Sequence, residues 1–275
     1  MPLDPAPVLM QRARGRVEVV VSRREGSVRL DRLFQQGCGK AILPRTYGAV
    51  TEAVLINTSG GVTGGDRIEW RLEAGAGAAL VATSQAAERV YRSAGGAALV
   101  ETRLTLGAGA ALEWLPQETI LFEGGRLERR LEVDMAEDAA LTALECVVLG
   151  RSAMGEAVET GALSDQWRIR RAGRLVHAEA LRVSGEIARA AAGPATLRGA
   201  RAFATLVHLS PGAESRLDAA RRALQGMDGV TAGASAKPGM LIVRFLSADA
   251  QALRAGLIRF LMVFRNAPLP RVWTS

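Results

Sequence analysis

Residues 57–66 read Asn-Thr-Ser-Gly-Gly-Val-Thr-Gly-Gly-Asp, four glycines and a carboxylate directly before an alternating stretch. Glycine-rich loops can cradle phosphate, but a nucleotide P-loop closes on Lys followed by Ser or Thr and runs into a helix. Here Asp66 and a strand pattern follow, so the phosphate reading fails on both counts. A tight double turn accounts for the segment, with glycines supplying positive φ and Asp66 capping its own backbone. That structural use is compatible with a functional use of Asp66. Around Ser152 the sequence is Gly-Arg-Ser-Ala-Met-Gly over residues 150–155, and the glycines are not placed symmetrically about the serine as a nucleophile elbow requires. His177 and His208 are the only imidazoles that could act as its base, and both sit in strand-like surroundings. A hydrolase of a small acidic substrate is therefore only a remote alternative.

Tight zinc or iron sites announce themselves through closely spaced Cys and His. Cys38 and Cys146 are the only cysteines, far apart, and a reducing compartment keeps them as thiols. A weaker polar feature rides on an internal repeat. Gly-Ala-Gly-Ala-Ala-Leu at 75–80 recurs letter for letter at 107–112, and a degraded copy, Ala-Glu-Asp-Ala-Ala-Leu, occupies 136–141. Counted from the recurring leucines, Ser84 and Gln85 follow Leu80, Gln117 and Glu118 follow Leu112, and Glu145 and Cys146 follow Leu141. If the repeats stack in register these side chains form a polar column, and inside a β-body such groups demand partners or water. On the sequence alone, alternation favours placing them on a solvent face.

The elements that would position these groups are mostly strands. Ile68, Trp70 and Leu72 alternate with Glu69, Arg71 and Glu73; Val100, Thr102, Leu104 and Leu106 alternate with Glu101, Arg103 and Thr105; Leu131, Val133 and Met135 alternate with Glu132 and Asp134. Glycine pairs at 60–61, 64–65, 95–96 and 124–125 punctuate the strands. The repeated unit is thus strand, small-residue turn, strand, which suits a β-solenoid or wrapped sheet. Chance similarity of alanine-rich hairpin turns is the competing explanation.

Beyond residue 200 the pattern becomes β-α-β-β-α: a strand over 202–209, a helix over 211–225 started by Ser210 and Pro211, strands over 230–234 and 240–246, and a helix over 247–265. The predicted fold is mainly β, a β-helical or wrapped-sheet body with two C-terminal helices. One domain spans 1–275, divided into a β-rich body (1–200), an α+β part (201–266) and an extended tail (267–275). Prolines 268 and 270 are expected to hold Trp273 away from the last helix as an anchor for a partner.

A chain of 275 residues that is 48% hydrophobic can bury a full core. The net charge of +7 is nearly all arginine, since Lys40 and Lys237 are the only lysines among 35 basic residues, and it favours acidic partners. Nucleic acid is a poor fit: aromatics are only 4%, so stacking platforms are missing, and the arginines are scattered. No signal-peptide pattern opens the sequence, and no apolar stretch approaches the ~20 residues of a membrane span. A cytoplasmic protein is expected.

Five segments carry a family resemblance: 57–67, then 83–87 continuing to Tyr-Arg-Ser at 91–93, Trp-Leu-Pro-Gln-Glu-Thr-Ile-Leu-Phe at 114–122, Leu-Gly-Arg-Ser-Ala-Met-Gly-Glu at 149–156, and Pro-Arg-Val-Trp at 270–273. In this order, across nearly the whole chain, they make the sequence similar to the UreD family of urease accessory proteins, called UreH in some organisms. Ser59 stands where proline or a small residue is usual, Thr63 replaces a common valine, and the Ala-rich 186–199 segment does not follow the family.

The resemblance implies a β-rich, helical-sheet fold with two main helices. It also implies a non-enzymatic maturation factor that assembles with UreF and the GTPase UreG on apo-urease and helps insert nickel. GTP hydrolysis then belongs to UreG. No cofactor is held tightly; nickel passes in transit through a water-filled passage in the UreD-like protein. Carried onto this sequence, Asp66, Thr83, Gln85, Glu118 and Glu145 are the polar candidates to line that path, with Glu118 and Glu145 facing a wet interior. Oxygen and nitrogen donors that bind weakly suit conduction, whereas a His and Cys cluster would trap the ion. An adaptor without any metal path is the alternative.

Overall fold

Alternation between apolar and polar side chains sets one face of each strand against a core, and two sheets result. The structure is a computed structural model that describes residues 11–45, 50–151 and 156–274. The N-terminal third contributes β1 (Arg14–Arg24), β2 (Ser27–Gly37), β3 (Gly39–Ile42), β4 (Thr51–Asn57), β5 (Arg67–Ala74), β6 (Ala79–Ser84) and β7 (Glu88–Val90). The middle adds β8 (Ala98–Leu106), β9 (Ala111–Trp114), β10 (Thr119–Leu121), β11 (Arg126–Met135), β12 (Ala140–Leu149), β13 (Thr160–Arg171) and β14 (Arg174–Glu186). After the short helix α1 (Ile187–Ala192) come β15 (Ala202–Leu209), α2 (Leu217–Ala223), β16 (Val230–Lys237), β17 (Met240–Ser247) and α3 (Ala250–Arg265).

The first sheet has the order β14-β13-β11-β8-β5-β1-β2, and the second runs β16-β17-β15-β12-β9-β6-β4-β3 with β10 and β7 appended beside β12. Each repeat carries the chain from the first sheet to the second: β5 to β6, β8 to β9, β11 to β12. The copies stack in register, because Leu80 pairs with Leu112 and Leu112 with Leu141 in parallel ladders. The repeat is therefore a structural rung rather than a chance likeness of turns. Small residues are required at the corners. Ala78, Ala110 and Ala139 are at most 1% exposed, and a Cβ on Gly107 would lie 2.8 Å from the amide nitrogen of Ala76 on the neighbouring rung.

Two cores follow. One fills the space between the sheets and includes Val19, Leu72, Leu104, Leu112, Leu131 and Trp167. The other lies between the second sheet and the helices, with Leu144, Phe245, Leu257, Phe260 and Trp273. Along α3 the residues Leu253, Leu257, Phe260, Leu261 and Phe264 are all buried, as their spacing predicts. Asp249 caps the helix by accepting the Gln251 amide at 2.7 Å, so it starts at Ala250 rather than at Ser247, which ends β17.

Three expectations are corrected. The helix placed over 211–225 does not begin at Pro211: Gly212 takes φ +71°, a 3₁₀ turn spans Ala213–Arg216, and α2 covers only Leu217–Ala223. The Ala-rich 186–199 segment contains the extra helix α1, which buries Ile187. The tail is neither extended nor free. A 3₁₀ turn at Arg271–Trp273 seats Trp273 at 2% exposure in the second core, with its indole donating to the Leu115 carbonyl at 3.1 Å. Prolines direct the chain back onto the sheet instead of away from it. Trp273 is thus spent on intramolecular packing rather than offered as a surface anchor.

Candidate functional site

Alternating strands normally point only apolar side chains inward, and the site is built where three strands break that rule. In β11, Arg129 occupies the inward register of Leu127, Leu131 and Val133; in β13, Asp165 shares the face of Leu163 and Trp167; in β12, Glu145 shares the face of Ala143 and Val147. Arg129 and Asp165 are cross-strand partners in the first sheet. Glu145 reaches them from the second sheet, so the cluster bridges the sandwich.

Its contacts are short. Arg129 donates from Nη1 to Glu145 Oε2 at 2.5 Å and to Thr119 Oγ1 at 3.1 Å, and from Nη2 to Asp165 Oδ2 at 2.6 Å. Trp114 Nε1 donates to the other Glu145 oxygen at 2.8 Å, and Trp167 Nε1 to the other Asp165 oxygen at 3.2 Å. The Arg129 Nε is buried without a partner among the described residues. Two carboxylates thus share one guanidinium, leaving one excess negative charge when both are ionised. Burial pushes the Glu145 carboxyl above its ordinary range; Arg129 pulls it back, and the neighbouring Asp165 charge pushes it up again. Burial by itself would lower Arg129, yet Asp165 and Glu145 more than offset this and hold it charged.

A cavity of about 160 Å³ adjoins the cluster. Its deep end is Arg129 and Glu145, its walls include Trp70, Thr102 and Trp114, and it reaches Asn57, Gly60, Gln85 and Glu88 near the surface. Gly60 and Gln85 are exposed, so the outer end lies at solvent. The space suffices for several waters, and the polar groups present can hold them. At the outer end, Asn57 Nδ2 lies 3.2 Å from each Glu88 oxygen. Burial raises the Glu88 carboxyl from 4.5 to about 7, against the opposing pull of Asn57 and the Arg89 amide.

The five residues singled out by sequence do not form one column. Gln85 and Glu145 line this cavity, at its outer and inner ends. Asp66 lies apart, accepting the Ala13 amide at 2.7 Å and the Thr63 amide at 2.8 Å, which is the backbone-capping role its turn predicts. Thr83 is fully buried one residue beyond Ala82, on the opposite face of β6, with its hydroxyl 3.4 Å from the Ser84 carbonyl. Glu118 pairs with Arg254 of α3 at 3.1 Å, on the helical side of the second sheet. The approximate register after the repeated leucines explains the scatter: an offset of six residues and one of four point the same way in an unbroken strand, but the chain leaves regular β-structure between Trp114 and Thr119. Arg129, Asp165 and Glu88 were not singled out. Their signal was present, a charged residue at an inward position of an alternating strand for the first two.

Neither histidine stands ready as a base. His208 is held between Thr142 Oγ1 at 2.9 Å and Ser210 Oγ at 3.1 Å, and burial, with Arg216 nearby, lowers it to about 4. His177 lies 3.6 Å from Glu179. Ser152 lies outside the described residues. Among the described residues no three His, Cys, Asp or Glu side chains are grouped to hold a metal ion, and no helix is long and apolar enough to cross a membrane.

The family model described as "UreD urease accessory protein" matches residues 13–274. A protein of Agrobacterium fabrum named "Urease accessory protein UreD" is 51% identical over 268 residues, covering 97% of this chain and 93% of its own. Proteins of the same name from Rhizobium etli and Chelativorans sp. are 50% and 49% identical, each covering at least 96% of both chains.

Proposed function

This chain belongs to the UreD family of urease accessory proteins, and from that membership we propose that it acts in the cytoplasm with UreF and the GTPase UreG on apo-urease. It is a scaffold without catalytic activity of its own, and it helps insert nickel. The observation that carries the finer reading is the partly polar cavity between the sheets, roomy enough for water, which ends on a cluster with one carboxylate more than its guanidinium can neutralise.

Nickel moves along such a path by exchanging hydration water for oxygen donors that do not hold it long. Glu88, raised to about 7, releases its proton near neutral pH and so can accept a divalent ion at the outer end in exchange. Gln85 offers an uncharged amide oxygen beside it. Inside, the excess charge at Glu145 and Asp165 is balanced by a proton or by a passing cation, while Arg129 keeps the combined field shallow enough for the ion to leave. Asp66, Thr83 and Glu118 serve the frame around this path: the turn at its side, the wall of the second core and the seat of the tail.

Activation of apo-urease by UreF, UreG and this protein at limiting nickel tests the reading. Glu88→Gln and Glu145→Gln proteins that assemble normally should activate poorly, and excess nickel should restore part of the activity. Glu118→Gln, on the other side of the sheet, should activate as the parent does. If the Glu88→Gln, Glu145→Gln double variant assembles and activates fully at low nickel, the protein is an adaptor with no metal path.

A further inference from the structure

Two hairpin turns, one from each sheet, meet at one end of the sandwich. In the first sheet Arg171 pairs directly with Arg174 across the two-residue turn Ala172-Gly173, whose φ values of +47° and +76° are those of a type I′ turn. In the second sheet Lys237 pairs with Met240 across Pro238-Gly239, with Gly239 at φ +73°. The hairpins are tied together by Lys237 Nζ donating to the Val176 carbonyl at 3.2 Å and Arg171 Nη2 donating to the Gly239 carbonyl at 3.3 Å. Between them opens a cleft of about 540 Å³ lined by Arg171, Arg174 and Lys237.

The charges here are unbalanced. Like charges directly opposite on neighbouring strands repel, and Arg171 faces Arg174 in that way. Arg171 is only 9% exposed, its Nε is buried without a partner, and it makes no ion pair among the described residues. Buried arginines elsewhere in the chain are paired: Arg129 with Glu145 at 2.5 Å and Arg265 with Glu113 at 2.6 Å. The acids near the cleft do not do this work. Glu137 lines it and forms no ion pair among the described residues, and Glu214 is engaged by the Gly239 amide at 2.7 Å. A buried guanidinium is ordinarily neutralised by an anion with hydrogen-bond acceptors.

We propose that this cleft is a binding site for an oxyanion, a phosphate or a carboxylate group held by Arg171, Arg174 and Lys237. Arg171 supplies the fixed, dehydrated donor. Arg174 and Lys237, both exposed, close on the anion from the two hairpins. An anion bound there would also fasten the outer hairpins of the two sheets to each other. The cleft shares no lining residue with the Glu88–Glu145 cavity, so the two readings stand or fall separately.

Thermal unfolding of the full chain, titrated with inorganic phosphate, with acetate, and with sodium chloride at matched ionic strength, tests the site. The expected result is a saturable rise of the midpoint with phosphate, acetate or both, beyond the rise with chloride. Saturation by phosphate alone identifies a phosphate group as the ligand; saturation by acetate identifies a carboxylate such as an acidic side chain of a partner. Arg174→Gln with Lys237→Gln, both at exposed positions, should keep the fold and raise the concentration for half-saturation at least tenfold. Arg171→Met should abolish the response if it folds. No difference from matched chloride, or an unchanged saturable response in the Arg174→Gln, Lys237→Gln protein, overturns the proposal.

Discussion

Replacing Glu88 by glutamine should stabilise the protein at alkaline pH and not at acidic pH. The folded carboxyl is raised from 4.5 to about 7, chiefly by burial, so between those values the folded state holds a proton that the unfolded chain has released. Stability contributed by the neutral form is complete below pH 4.5 and is lost as pH rises through 7. The full penalty above pH 7 is about 3 kcal/mol. Glutamine keeps the size, removes the titration and retains one acceptor for Asn57 Nδ2 where the carboxylate offers two, each at 3.2 Å. The expected difference is therefore a gain of about 3 kcal/mol at pH 8 that shrinks to less than about 1 kcal/mol at pH 5. Urea unfolding of both proteins in half-unit steps from pH 5 to 8.5 reads it directly. A difference that stays constant over this range would refute the reasoning, because Glu88 would then titrate as it does in the unfolded chain.

Two further outcomes follow from the packing. Trp273→Ala should destabilise the chain by about 3–5 kcal/mol in the same urea assay, since the indole is buried and hydrogen-bonded to Leu115; a loss below about 1 kcal/mol would mean that the tail is only loosely seated. Arg129→Met should cost about 3–5 kcal/mol at pH 8 by stranding two buried carboxylates, and the deficit should narrow as pH falls and Glu145 takes up a proton; a deficit independent of pH would show that the loss is one of packing alone.

Much of the body was legible because alternation has one physical cause, a half-buried sheet, and the strands at 68–72, 100–106 and 131–135 all turn their apolar side chains inward. The repeat was visible too, but its meaning needed the register, since Gly-Ala turns are cheap in an Ala-rich chain and only the pairing of Leu80, Leu112 and Leu141 distinguishes stacking from coincidence. The site was less legible. Glu145 was found because it follows a repeated leucine. Arg129 and Asp165 were hidden by the rule that charges face water, which their pairing between neighbouring strands, and that of Arg129 with Glu145 across the sandwich, overrides. Glu88 lies in a strand of three residues, too short for any period to show its direction. At the C-terminus, Ser210-Pro211 imitates a helix start, but the positive φ at Gly212 delays it. The burial of Trp273 is not visible in the tail's sequence, because proline spacing marks where a helix ends and says nothing about where the next residues go. Arg254 decides that, donating to Glu118 at 3.1 Å and to the Trp273 carbonyl at 3.2 Å.

The in-register rungs also bear on how the chain can be made. Leu80, Leu112 and Leu141 are 32 and 29 residues apart, so the entropy of closing each parallel rung differs by only about 0.1 kcal/mol. No rung is preferred over another on that account. Within the parallel run of each sheet the spatial order is also the order of synthesis, β1, β5, β8, β11 and β13 in one and β4, β6, β9 and β12 in the other. A growing chain therefore always has a finished strand exposed as template for the next one to leave the ribosome. The outer face of the second sheet gains α3 and Trp273 only after every strand they protect has been translated.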